Sequence, residues 1–422
     1  MKLLQNRWFI LFALLMPLNF LYGFDRNALS VTAHYVQNEL SIDFVLMSEI
    51  LVISTAVYAC MQVPAGWLAQ KLGVRWVLAG ACFLWSAATA MTALQTHVPG
   101  FFAARILLGI GQAPDWVACI LALKLLFPET EREDANALLL AAAYTGVIVS
   151  GAFTPWMVEH SSWRYCFTVY GLVGVALGLL VLVFYRGKTR EVVSVTEKLS
   201  FRELRQIDII WKIAQAATFY GTVCVQHGFF LITFPHFATS MYHVTPVSAG
   251  SLFSILWGAL YLSVLFWGAL IKYLKRRGKG AGLYGAPGRA VGVLAAGGFL
   301  AAGVLTDNIF VGMTLLSGSM FALGLCQILA WARVQTITGA TGIAAGFTQF
   351  AGNGCLAIGP VVFEMLYKHY TSWTPVTVVA VTAALIGGAL WLRPDRPGKE
   401  APSTSPGCAL LDSEKGEVSV GH

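Results

Sequence analysis

Twelve mostly apolar stretches, nearly all long enough to cross a bilayer as a helix, dominate this chain. They fall at roughly 8–35, 44–70, 76–94, 99–126, 135–158 and 163–186, then at roughly 209–239, 246–274, 289–306, 309–335, 341–366 and 373–393. A helix needs about 20 such residues to span the hydrocarbon core. Lipid offers no water to satisfy backbone N–H and C=O groups, so only helices and closed barrels cross it. Barrel strands would alternate apolar and polar residues over about ten positions, and these runs are longer and unbroken. The predicted fold is an all-α membrane protein with twelve transmembrane helices. Charge agrees: 12% of the 422 residues are Asp, Glu, Lys or Arg, against about a quarter in a soluble domain.

The basic residues set the expected topology. Of the 28 Lys and Arg, all but Arg26, Arg105, Arg164 and Lys368 lie at the N-terminus, in even-numbered connections, at the flanks of those helices, or in the C-terminal tail. By the positive-inside rule both termini are cytoplasmic. Lys2 and Arg7 ahead of an apolar run imitate a signal peptide, but no cleavage signature follows, so the first run reads as an uncleaved span. The polar stretch 187–208 separates helices six and six. It reads as a cytoplasmic linker between an N-terminal bundle (1–186) and a C-terminal one (209–393). The tail 394–422 is rich in Pro, Ser and Gly and reads as disordered. The net charge of +7 sits between spans, without the aromatic-basic platform of a nucleic-acid binder.

No cysteine pair has metal-ligand spacing, and no nucleophile–base pairing or phosphate loop is visible. Catalysis, metal binding and a cofactor are therefore not expected. Solute movement is the expected activity, with a substrate-sensing receptor as the class to exclude.

Ionisable residues inside spans cost a few kcal/mol unless paired or hydrated, so they mark candidate sites. Asp25, Arg26 and Asn27 interrupt helix 1. Arg105 lies two turns into helix 4. Two arginines at similar depth point to an anionic substrate, since guanidinium grips carboxylates in a bidentate way and stays charged; the competing reading is a scaffold in which Asp25 neutralises one of them. Arg105, Gln112 and Asp115 recur on one face of helix 4, a polar stripe that suits the lining of a solute path. His227 of helix 7 and Gln349 and Asn353 of helix 11 are further candidate contacts, and Pro235-His236 marks a kink that suits a gate. Glu49 and Glu364 read as acids facing an aqueous vestibule.

The corner after helix 2 reads Gly66-Trp-Leu-Ala-Gln70-Lys71-Leu-Gly73-Val-Arg75. The corner after helix 8 reads Gly268-Ala-Leu-Ile-Lys272-Tyr-Leu-Lys275-Arg276-Arg277. Each places a Gly nine residues before an Arg, implying a duplicated body. The basic residues there can cap carbonyls at a helix C-terminus. This pattern resembles the loop signature of the major facilitator superfamily, whose acidic position is Gln70 here and Lys272 in the second half. The resemblance implies two six-helix bundles and a gating loop at Gly66, Gln70, Lys71 and Arg75, with its usual charge cluster altered.

Further segments resemble the anion:cation symporters, a branch that includes sugar-acid, phthalate and sialin-type transporters. They are Asp25-Arg26-Asn27-Ala-Leu-Ser30, Tyr58-x3-Gln62-x-Pro64-x-Gly66, Arg105-x3-Gly109-x2-Gln112-Ala-Pro114, Phe127-Pro128-x2-Glu131-Arg132, Trp163-Arg164-x2-Phe167 and Gly352-Asn353-x6-Pro360. The resemblance implies that Arg26 and Arg105 bind or gate the anion and that Asp25 takes part in proton coupling. The family's second proton site, an acid two turns below the helix-4 arginine, is Gln112 here and cannot titrate. Three outcomes stay open: Asp25 alone carries the proton, Asp115 takes over, or transport is uncoupled. The expected protein is a monomeric, multi-pass bacterial inner-membrane carrier that imports a small organic anion with protons. Export, and uptake of a carboxylate siderophore into a cavity lined by Trp257, Tyr261, Trp267 and Trp331, are the alternatives. Helix 5 lacks the adjacent Gly-Pro pair usual in exporters, which favours import.

Overall fold

The computed structural model describes residues 6–185, 207–335 and 341–390. The expected tail and nearly all of the expected linker lie outside the described residues, as do the side chains at 66 and 70. Every long element is helical. The first set is α1 (Arg7–Leu40), α2 (Phe44–Leu72), α3 (Val74–Ala93), α4 (Val98–Leu126), α5 (Glu129–His160) and α6 (Trp163–Phe184). The second begins with α7, which runs unbroken through Ile207–Gly228, a π-helical turn at Phe229–Thr233, and Phe234–Met241. It continues with α8 (Pro246–Arg276), α9 (Ala286–Val304), α10 (Ile309–Gln335), α11 (Thr341–Tyr370) and α12 (Thr374–Ala389). Ten of the described helices are long and apolar enough to cross a membrane. The count of twelve adds α7, whose middle carries Gln226 and His227, and the shorter α12.

Helix ends follow from local chemistry. α1 runs past the expected end near 35 because no breaker intervenes before Ser41, which leaves the helix in the left-handed region (φ 53°). The Asp43 carboxylate then accepts the Leu46 N–H at 2.8 Å and starts α2, an N-cap. Gly73 alone separates α2 from α3, at φ 85° and ψ 153°, a conformation that side chains with a Cβ resist. At the same corner Arg75 donates from Nε to the Leu182 carbonyl at 2.7 Å. It thus caps the last turn of α6, the neighbouring helix, rather than of its own.

The two sets of six pack alike. α1 lies on α5, α2 on α4, α3 on α4 and α6. Correspondingly, α7 lies on α11, α8 on α10, α9 on α10 and α12. Between the sets, α2 meets α11 and α5 meets α8, again equivalent pairs. The fold is the duplicated two-bundle body the repeated corner implied. Glycines set the closest approaches. A Cβ on Gly250 of α8 would stand 2.1 Å from the Gly151 carbonyl oxygen of α5, so the seam there needs bare backbone.

Contacts between the sets gather toward the C-terminal end of α1. Pro235 has no N–H to give the carbonyl of Leu231 four residues back, and the Ser30 hydroxyl of α1 donates to that carbonyl at 2.8 Å. Ser254 of α8 donates to Ile148 O of α5 at 2.7 Å. Lys368 pairs with Asp43 at 2.6 Å, and the ring of Phe44 stacks on that of His236 with centroids 3.5 Å apart.

Candidate functional site

Asp25 and Arg26 are neighbours on α1, so their side chains leave the helix about 100° apart. That angle sends them to different places. Asp25 is buried inside the first set of helices and accepts a hydrogen bond from Thr89 of α3 at 3.2 Å. Arg105 of α4 is also buried there and donates to Thr92 of α3 at 3.0 Å, with its guanidinium 5.8 Å from the centre of the Phe167 ring. Thr89 and Thr92 are three residues apart and share a face of α3. The acid and the guanidinium are therefore held by one threonine ladder, within electrostatic reach of each other but without a direct ion pair.

Arg26 instead points to the seam between the two sets. It donates to the Tyr22 hydroxyl at 2.6 Å and to Thr55 at 3.5 Å, and its guanidinium lies 4.9 Å from the centre of the Tyr58 ring. From the other set it feels Tyr220 of α7. Among the described residues no carboxylate reaches it within ion-pair distance. Aromatic faces and hydroxyls hold a guanidinium in place, yet leave its charge uncancelled.

The second set brings aromatic and amide groups to this level. Tyr220 packs edge-on against Trp331 of α10, and Tyr144 of α5 donates to Gln327 of α10 at 3.1 Å. His227 sits beside Trp257 of α8 with its Nδ1 3.3 Å from Val223 O and no hydrogen-bond partner for Nε2 among the described residues. Asn353 donates to its own helix at Gln349 O, 3.0 Å away.

The structure thus separates the candidate residues into two places. Arg26 lies on the seam with aromatics of the second set, and Arg105, Asp115 and Asp25 lie inside the first set. On α4, Arg105 reaches Thr92 of α3 and Asp115 lies near Cys82 of α3, while Gln112 between them is buried. Asp115 is buried with Cys119 and Cys82 near it, about 15 Å along α4 from Arg105 at 1.5 Å per residue. In the gating loop, Arg75 holds α6 and Lys71 is exposed. Sequence reading passed over Tyr22, Thr55, Thr89, Thr92, Tyr144, Tyr220 and Gln327. A hydroxyl recurring among apolar residues is a weak signal, and only the ladder Thr89-x2-Thr92 had a spacing to notice.

Two equivalent helix sets around a seam that carries an uncancelled cation define a polytopic membrane carrier. The pattern of the Major Facilitator Superfamily matches residues 15–360, and the chain belongs to that superfamily of transporters. Among curated relatives, the D-galactonate transporter of Escherichia coli is 24% identical over 87% of this chain and 91% of its own length. A probable sulfoacetate transporter of Cupriavidus necator is 24% identical over 88% and 90%. A probable galactarate/D-glucarate transporter of Bacillus subtilis is 30% identical, but over 42% of this chain and only 40% of its own length. A solved bacterial homologue of the human lysosomal transporter Spinster, inward-facing and occupied, superposes with a TM-score of 0.72 at 16% identity, over 92% of this chain and 96% of that one.

Proposed function

We propose that this protein imports a small organic anion, of the sugar-acid or sulfonate kind, across a bacterial inner membrane by alternating access. The observation that carries the reading is the Arg26 guanidinium, held on the seam by Tyr22, Thr55 and Tyr58 with no carboxylate among the described residues to neutralise it. A desolvated cation of this kind binds a carboxylate or sulfonate by paired charge-assisted hydrogen bonds. In this reading Tyr144, Tyr220, Gln327 and Asn353 meet hydroxyls of the same solute, and His227 with Trp257 bounds its far side. The names of the full-length relatives, for D-galactonate and sulfoacetate, support the same class.

Proton coupling belongs to Asp25. Its carboxylate lies within electrostatic reach of Arg105, and a proton on it removes the charge that steadies the guanidinium. Gln112 cannot take that role, and Asp115 lies about 15 Å along α4 from Arg105. With both termini cytoplasmic, the end of the seam closed by Ser30, Asp43 and Lys368 faces outward, and the rocking of the two halves opens it. The carrier acts as a monomer, with lipid around it and no nucleic-acid partner.

Purified protein should gain thermal stability from D-galactonate, D-glucarate or sulfoacetate, because a ligand of the folded state stabilises it by about 2.7 kcal/mol at 100 times its Kd. Arg26→Ala should lose that shift, and a full shift in Arg26→Ala would overturn the site.

A further inference from the structure

His236 of α7 and Glu364 of α11 form a pair that the transport site does not use. His236 Nδ1 lies 2.7 Å from Glu364 Oε2, and both side chains are nearly covered, at 11% and 3% exposure. The pair lines a pocket between the two helix sets with Ser30, His34, Phe44 and Ser48. Phe44 comes from the opposite set and lies face to face on the imidazole, with ring planes 9° apart. The rings of Tyr367 and Trp373 stand steeply to it, with centroids 5.1 and 5.3 Å away.

We propose that His236 and Glu364 are a proton-binding latch on the outer gate: the seam closes over the pair when it carries one proton, and that proton leaves when the seam opens. This rests on the transport reading above for which end faces outward. With one proton the pair is an imidazolium against a carboxylate, net neutral, and it can be covered. Without it, a bare carboxylate would be shut into a nearly dry seam, at a high desolvation cost. The ring of Phe44 adds a face that favours a cation and exists only while the seam is closed.

The surrounding titratable groups fit this direction. His34 of α1 is within electrostatic reach of His236, and its neutral form is the one compatible with an imidazolium there. Tyr367 of α11 meets the imidazole as an uncharged aromatic contact through its ring. Asp43 and Lys368, one turn beyond Glu364, already cancel each other. The pocket residues from α2 and α8, among them Met47, Ser48 and Ala249, do not titrate.

The proton enters from the outer side on closing and returns there on opening. It therefore shifts the closing equilibrium without being carried across, which separates it from the proton assigned to Asp25. Closing takes up one proton, so its equilibrium should fall by up to about tenfold per pH unit once the open pair has lost its proton.

The test is hydrogen–deuterium exchange of the full-length protein in lipid nanodiscs at several pD values, corrected for intrinsic exchange. Peptides covering 44–51 and 234–241 should lose protection as pD rises, while those at the α2–α3 corner should not follow. Glu364→Gln, which leaves no carboxylate to bury, should keep the outer peptides protected throughout. His236→Gln should move the transition to more acid pD. A wild-type outer end indifferent to pD, or an unchanged transition in a folded Glu364→Gln, would overturn the latch. In proteoliposomes, the proton-to-D-galactonate ratio should be the same in Glu364→Gln as in wild type; a ratio lowered by one would make this the carried proton and also overturn the latch. If wild type moves none of D-galactonate, D-glucarate and sulfoacetate, the transport reading fails, while the exchange data still judge the latch.

Discussion

At the scale of single residues, adjacency on a helix sends two charges to two different places. Asp25 faces the threonine ladder of α3 and Arg26 faces the seam. Asp25→Asn should keep the fold and anion binding, because an amide can still accept from Thr89, but should lose uptake driven by a pH gradient in proteoliposomes. Undiminished gradient-driven uptake would remove Asp25 from the coupling step. The charged positions themselves were legible in the sequence, because lipid makes any ionisable residue in a span costly. Their directions were not. Periodicity places Arg105, Gln112 and Asp115 on a common face, but nothing in one helix says which neighbour that face meets. The seam tyrosines stayed hidden for a related reason: Tyr220 or Tyr144 in an apolar run reads the same at a lipid interface as in a solute path.

At the scale of elements, prolines and glycines decide where helices touch. The π turn of α7 precedes Pro235, and the carbonyl Pro235 cannot bond is the one that Ser30 reaches. Ser30→Ala should remove one buried hydrogen bond that spans the two sets, worth about 1 kcal/mol, and should be read as faster exchange in the outer part of α7. Gly250→Val should do more, since even a Cβ would press on the Gly151 carbonyl. Overpacking of this kind costs about 1–3 kcal/mol, so the variant should fold but favour the open outer seam, with transport slowed at the closing step. The sequence showed Pro235 as a kink but did not single out Gly151 or Gly250. Their partners lie in other helices, at separations that local pattern does not encode. His236 and Glu364, 128 positions apart, are the extreme case.

At the scale of the whole molecule, the count of helices, their order and the duplication were all readable, because bilayer thickness fixes span length and the two corners repeat. The equivalence of the cross-seam pairs, α2 with α11 and α8 with α5, follows from that duplication. The rim ion pair gives this scale its own prediction. The Leu46 N–H and then the Lys368 ammonium hold the Asp43 carboxylate below its ordinary range. A depressed carboxylate contributes above its usual value near about 4 and loses that contribution as pH falls through the lower folded value. Half-exposed as both partners are, the pair is worth a few tenths of a kcal/mol. Asp43→Asn should therefore leave any change in seam closure between pH 6 and 8.5 in place, and exchange on that variant checks it.

The α2–α3 corner has a mechanical consequence. One residue, Gly73, joins the two helices, and Arg75 ties the start of α3 to the end of α6, so the joint has almost no slack. Movement of α2 at the seam is passed to α3 and α6 like motion along a rigid lever instead of being absorbed by a flexible tether. Lengthening the joint by a few glycines would let α2 lag behind its own half, and the carrier would then leak or stall with every binding residue intact.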